Sequence, residues 1–313
     1  MRRLAVLAAF LALTCAPALA DGDTVGLPVI QAEKLISQGQ NKEAIALLDP
    51  YIAQHAYDAR ALNDRGDAYE GLGDQRSAIS DYTAAIAADP QSAYAYASRC
   101  QSHWELNEDR LALGDCNAAI ALKPNLAYAL RQRALVELDF REVLDALKDA
   151  DQAVTLAPNE PFSLTTRCHV YLAGRRYDDA IKDCTAAIAI DDRNDTPHFY
   201  RGRAEVETKQ WSAAVADFSH VLARDPDEAG AYYWRAMAHA GSGEYAPGLK
   251  DVDRYLRARP DDADGYLLRA RIYANLGNRK EAQSDATDAL RHYRIDNDQA
   301  GAAEAQAFLD GLH

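Results

Sequence analysis

Two stretches of this chain have the residue types for thiol chemistry. Arg99–Cys116 reads RCQSHWELNEDRLALGDC and Arg167–Cys184 reads RCHVYLAGRRYDDAIKDC. Each begins Arg-Cys, ends Asp-Cys and holds its cysteines sixteen residues apart: Cys100 with Cys116, and Cys168 with Cys184. Thiol–disulfide catalysis is not expected, because no Cys-x-x-Cys is present to stabilise a reactive thiolate. His103 and His169 lie close to cysteines in sequence, but the favoured reading includes no metal site. Two readings stay open, structural disulfides and four buried free thiols filling core space.

No other catalytic signature appears. His-Glu-x-x-His, Gly-x-x-x-x-Gly-Lys and Gly-x-Ser-x-Gly are all absent. His103 and His239 fall on a packed helix face and read as core residues. The expectation is a protein that is not an enzyme and uses no cofactor.

The first residues read as a secretory leader. Met1-Arg2-Arg3 is basic, Leu4–Leu13 is apolar, and Ala18-Leu19-Ala20 has the small-x-small form of a cleavage site. Residues 1–20 are therefore expected to be removed and the mature chain to be periplasmic. Cys15 permits a lipoprotein signal, but Ala12-Leu13-Thr14 fits such a site poorly. Losing Arg2 and Arg3 takes the net charge from −14 to −16. So acidic a chain is a poor partner for nucleic acid, and no other segment is apolar for long enough to span a membrane. It leaves four cysteines, an even number suited to disulfides in an oxidising compartment.

The elements that position these residues follow from a period of 34. Repeats start at Val25, Ala59, Ala93, Ala127, Pro161, Asp195, Ala229 and Ala263, and eight of them run to Asp296 without a gap. Each reads as two helices. Position 20 is small throughout: Ala44, Ala78, Ala112, Ala146, Ala180, Ala214, Gly248 and Ala282. Position 32 carries Pro90, Pro124, Pro158, Pro226 and Pro260, which stop the second helix; Asp192 breaks that pattern. Gly39, Gly73, Gly243 and Gly277 mark turns between helices. Position 7 is arginine in seven consecutive repeats, from Arg65 to Arg269, and position 23 is aspartate in the same seven, from Asp81 to Asp285. Both lie eight residues from the turn, so each pair is expected to meet across or between hairpins as a structural ion pair. Positions 8 and 24 have the same symmetry. Of the three possible connectivities, only Cys100–Cys116 with Cys168–Cys184 keeps both disulfides within single hairpins.

The stretch RALNDRGDAYEGLGDQRSAISDYTAAIAADP, Arg60–Pro90, resembles the tetratricopeptide repeat along nearly its whole length. The resemblance implies an all-α fold, a right-handed superhelical solenoid of helix-turn-helix repeats. Residues 21–296 would form it, with the degenerate repeat 25–58 as N-terminal cap and 297–313 as a C-terminal capping helix. It also implies a concave groove lined by the first helix of each repeat. Those positions supply Trp104, Arg131, Leu135, Phe162, His169, Phe199, Arg203, Tyr233, Met237 and Arg271. The expected function is a scaffold that holds a protein or peptide partner in this groove. Were the ligand acidic, Arg131, Arg203 and Arg271 would contact its charge. The alternative is a structural component of an envelope assembly, using its ends or convex face.

Overall fold

The computed structural model describes residues 26–312; the leader-like residues 1–20 lie outside them. The described residues form seventeen α-helices and no strand. They divide into two compact blocks, up to Gly174 and from Arg175. The N-terminal block holds α1 (Leu27–Ser37), α2 (Asn41–Gln54), α3 (Ala59–Gly71), α4 (Gln75–Ala88), α5 (Ala93–Glu105), α6 (Asp109–Leu122), α7 (Ala127–Asp139), α8 (Val143–Leu156) and α9 (Pro161–Ala173). The C-terminal block holds α10 (Tyr177–Ile190), α11 (Asp195–Glu207), α12 (Trp211–Arg224), α13 (Ala229–Ser242), α14 (Tyr245–Ala258), α15 (Ala263–Asn275), α16 (Arg279–Ile295) and α17 (Gln299–Gly311). Within each block, consecutive helices pack as hairpins and each hairpin packs on the next.

Local chemistry sets the boundaries. Asp58, Ser92, Glu160, Asn194, Glu228 and Asp262 cap the first helices by accepting from backbone N–H groups, which satisfies donors that have no partner inside the helix. Between the two helices of every repeat, position 15 adopts positive φ. Glycine stands there at Gly39, Gly73, Gly243 and Gly277, but Asn107, Arg141, Arg175 and Lys209 take the same conformation at φ 58–62°. The turn is therefore imposed by the hairpin and does not depend on glycine.

Close helix packing is set at positions 8 and 24. Gly66 faces Tyr82 and Gly202 faces Phe218; a Cβ added at either glycine would lie 2.5 and 2.8 Å from the ring. Both rings are fully buried. The same two positions hold Ala236 and Val252 in another repeat, also fully buried. In the third repeat they hold Cys100 and Cys116, joined as a disulfide with Cα atoms 5.5 Å apart. Cys168 and Cys184 are likewise buried and disulfide-bonded. Position 8 is small wherever position 24 is large, so the volume of the pair is shared.

The arginine ladder uses three donors. Arg65, Arg99, Arg133, Arg201, Arg235 and Arg269 each donate Nε and Nη2 to the two oxygens of the aspartate sixteen residues later, at 2.6–3.0 Å. Their Nη1 reaches sixteen residues back into the preceding repeat. The acceptors are Asp49, Thr83, Asn117, Thr185, Ser219 and Asp253, and Arg167 contacts Asp151 in the same way. The fork fixes register within a hairpin and the third donor ties that hairpin to the one before it.

At the C-terminal end Phe308 and Leu309 of α17 pack on Tyr293, Leu267 and Ala305. Pro247 is the third residue of α14, where the missing N–H has no partner to lose.

Candidate functional site

In the N-terminal block the first-helix face gathers carboxylates. Glu33 of α1, Asp64, Asp67 and Glu70 of α3, and Glu105 of α5 influence one another electrostatically. Polar donors hold several of them. Tyr82 donates to Asp67 at 2.8 Å and to Glu70 at 3.0 Å. Gln101 donates to Glu70 at 2.5 Å and to Glu105 at 3.2 Å, and Gln75 donates to Glu105 at 2.5 Å. The Gln101 carbonyl in turn accepts from Tyr128 and Gln132. These donors are neutral. Arg60 lies close enough to lower the Asp64 pKa somewhat, and it is already paired with Glu33.

Desolvation without neutralisation raises the carboxyl pKa values. Burial pushes Asp64 up to about 9, aided by the charges of Asp67 and Glu33. Burial pushes Asp67 up to about 7 against the Tyr82 hydrogen bond. Glu70 is raised well above the carboxylate range by burial and by Asp67 and Glu105. Asp64 is 7% exposed, and its Oδ2 has no hydrogen-bond partner among the described residues. This face would be stabilised by an added cation.

The residues nominated from the sequence are placed as follows. Trp104 is 9% exposed, lies in a packed cluster with Cys100, Cys116 and Leu135, and donates Nε1 to Asp139 at 2.6 Å. Arg131 lies between the rings of Tyr128 and Phe162, 5.2 and 5.1 Å from their centroids, and is ion-paired with Glu160 at 3.1 Å. His169 is half-buried on α9. In the C-terminal block Phe199 is buried edge-on to Phe218. Arg203 lies over the Trp234 ring at 4.9 Å, and burial lowers its pKa. Tyr233 packs against Trp234 and Tyr255, and Met237 is half-buried on α13. Arg271 pairs with Glu304 of α17. Arg131 and Arg271 each already have an internal carboxylate, so an incoming anion would have to displace it.

His103 and His239 share one arrangement, with Nδ1 at 2.6 Å from Glu108 and Glu244 respectively. A different histidine pair went unnoticed in the sequence. His198 of α11 stacks on His220 of α12, centroids 3.9 Å apart. Its Nδ1 lies 2.9 Å from Asp217 and its Nε2 2.9 Å from Asp192, in the turn before α11. Burial opposes a charge on His198, but the two aspartates raise its pKa. The available signal was Asp192 standing where other repeats have proline.

The family profile described as tetratricopeptide repeat matches residues 31–93, 64–127 and 199–263, and a second profile of that description matches 263–291. Three solved structures are similar. A tetratricopeptide repeat protein from Parabacteroides merdae shares 17% identity and a TM-score of 0.54, over 81% of this chain and 98% of its own. The Cut9–Hcn1 hetero-tetramer of APC/C gives 12% and 0.73, over 91% of this chain and 55% of that one. PilF of Pseudomonas aeruginosa gives 18% and 0.57, over 70% and 98%. No curated protein shows significant sequence similarity to this chain.

Proposed function

Because the chain belongs to the tetratricopeptide repeat family, whose fold serves as a protein-interaction scaffold, we propose that it is a non-enzymatic periplasmic scaffold binding a lysine- or arginine-bearing segment of a partner on the first-helix face of its N-terminal block. The carrying observation is the cluster of buried Asp64 and Glu70 with half-buried Asp67 and Glu105, held by neutral donors and with raised pKa values. An ammonium or guanidinium entering this face would favour the ionised carboxylates and pair with them, the protons they hold leaving to solvent. The leader-like first twenty residues and the disulfide cysteines support export to an oxidising compartment. No helix among the described residues is long and apolar enough to cross a membrane.

Fluorescence anisotropy with labelled peptides tests the reading. Peptides carrying lysine or arginine should bind and their glutamate counterparts should not, with affinity falling as salt rises. Asp67→Asn with Glu70→Gln should weaken binding by about tenfold or more, since hydrogen bonds to charged groups contribute roughly 1.5–3 kcal/mol. Equal binding of acidic peptides, or no effect of the double substitution, would leave the envelope-assembly reading, in which the ends or convex face make the contacts.

A further inference from the structure

One junction between repeats departs from its equivalents at three positions at once. Position 32 is proline in five repeats but aspartate at Asp192. Position 4 is Leu62, Tyr96, Leu130, Leu164, Tyr232 and Tyr266 elsewhere, but His198 here. Position 26 is Ala84, Ala118, Gln152 and Ala186 in the four preceding repeats, but His220 here. The fold brings these three replacements together within the C-terminal block. One ligand-type atom from each of Asp192, His198 and His220 lies within 4.8 Å of the others.

We propose that Asp192, His198 and His220 bind a divalent transition-metal ion of the zinc, nickel and copper class. Two imidazoles and a carboxylate are the donor set such ions prefer over magnesium or calcium. Asp217 prepares the site. It holds His198 Nδ1 at 2.9 Å while its carboxylate is gripped by the Arg201 fork, so Nε2 is directed at Asp192. A carboxylate behind a ligating histidine fixes ring orientation and tautomer. His220 supplies an independent sign: its Nε2 is buried with no hydrogen bond among the described residues, 3.5 Å from Asp195. Without a metal, His198 serves as a bridge between two carboxylates, which is the competing structural role.

Binding requires a small rearrangement. Ligands of a tetrahedral ion with bonds of about 2.0–2.1 Å lie roughly 3.3 Å apart, closer than the present limit of 4.8 Å. The stacked rings must also open so that both nitrogens face one point. His220 is the ring less enclosed, its side chain 30% exposed whereas that of His198 is 8% exposed, so the turn falls to it. The ion replaces the proton between Nε2 and Asp192, and that proton leaves to solvent. Three protein ligands leave a fourth position for water.

Cobalt(II) titration of the full chain, followed by absorption and by calorimetry, tests the site, with zinc competition to establish class. One equivalent should bind with the visible bands of a tetrahedral ion and be displaced by zinc. His220→Ala and Asp192→Pro should each weaken binding at least tenfold. Asp192→Pro installs the residue that other repeats carry, so its helical signal without metal should match the parent. Failure to bind one equivalent, or undiminished affinity in both variants, overturns the proposal and leaves His198 as a structural bridge. Peptide binding at the N-terminal face is read separately and fails or holds on its own.

Discussion

Gly202 and Phe218 give a quantitative test of the packing at positions 8 and 24. In Gly202→Ala the new methyl carbon would lie 2.8 Å from Phe218 Cζ and 3.1 Å from two further ring atoms, against about 3.5–4.0 Å for a relaxed carbon contact. The ring is fully buried and edge-on to Phe199 at 5.8 Å, so it has no free direction in which to retreat. Overpacking of this kind costs about 1–3 kcal/mol, and replacing a mid-helix glycine with alanine returns about 1 kcal/mol. The net is then about 0–2 kcal/mol, and the enclosed ring places the loss in the upper part of it, about 1–2 kcal/mol. Phe218→Val alone leaves a cavity costing roughly 2–4 kcal/mol. Together the two changes recreate the Ala236–Val252 pair found elsewhere in the chain. The double variant should therefore be less destabilised than the sum by about 1–2 kcal/mol. Urea denaturation is the assay, followed by helical signal and by fluorescence of Trp211 and Trp234, because repeat arrays need not unfold in a single step. Parental stability of Gly202→Ala, or additivity of the pair within about 0.5 kcal/mol, would refute the shared-volume argument.

Further outcomes are expected. Cys100→Ala with Cys116→Ala should lose about 3 kcal/mol, the chain-entropy value for a loop of that length, read as a lower melting temperature without reductant; parental stability would be the contrary result. Lys209→Gly should stabilise by roughly 0.5–1 kcal/mol, since lysine at positive φ carries strain that glycine lacks; a calorimetric scan showing a lower melting temperature would contradict this. Raised carboxyl pKa values mean the folded state binds protons more tightly than the unfolded one, so stability should fall as pH rises from about 4, through the Asp67 value of about 7, to the Asp64 value of about 9. Asp64→Asn should flatten that decline, and a pH series of melting temperatures that rises over this interval would be the contrary result.

The fold was legible because its determinants are local and repeat. Small residues at position 20, proline at position 32 and the Arg–Asp pairing at sixteen-residue spacing each recur often enough to separate signal from accident. The surface was less legible. Periodicity places Trp104 and Phe199 on the first helix, but whether a ring faces solvent or a neighbouring helix depends on what stands opposite it. Asp139 captures the Trp104 indole and Phe218 meets the Phe199 ring. Arg131 and Arg271 read as free cations until Glu160 and Glu304, each about thirty residues away, are placed beside them. The carboxylate cluster escaped notice because Asp64, Asp67 and Glu70 look like an ordinary solvated helix face. Only packing of α1 and α5 against α3 reveals that water is largely excluded.

The third donor of each ladder arginine gives the stack a direction. A hairpin supplies the guanidinium and its predecessor supplies the acceptor, whose identity varies among Asp, Thr, Asn and Ser without breaking the contact. Any hairpin can then follow any other, as identical connectors would allow, and a whole 34-residue unit could be duplicated or deleted with the joint restored on either side. The two ends are not equivalent under such trimming. At the ladder, removing the first hairpin leaves an arginine seeking an acceptor, whereas removing the last leaves a small polar or acidic side chain without its guanidinium. As far as the ladder goes, each joint is lost from its donor side on one end of the array and from its acceptor side on the other.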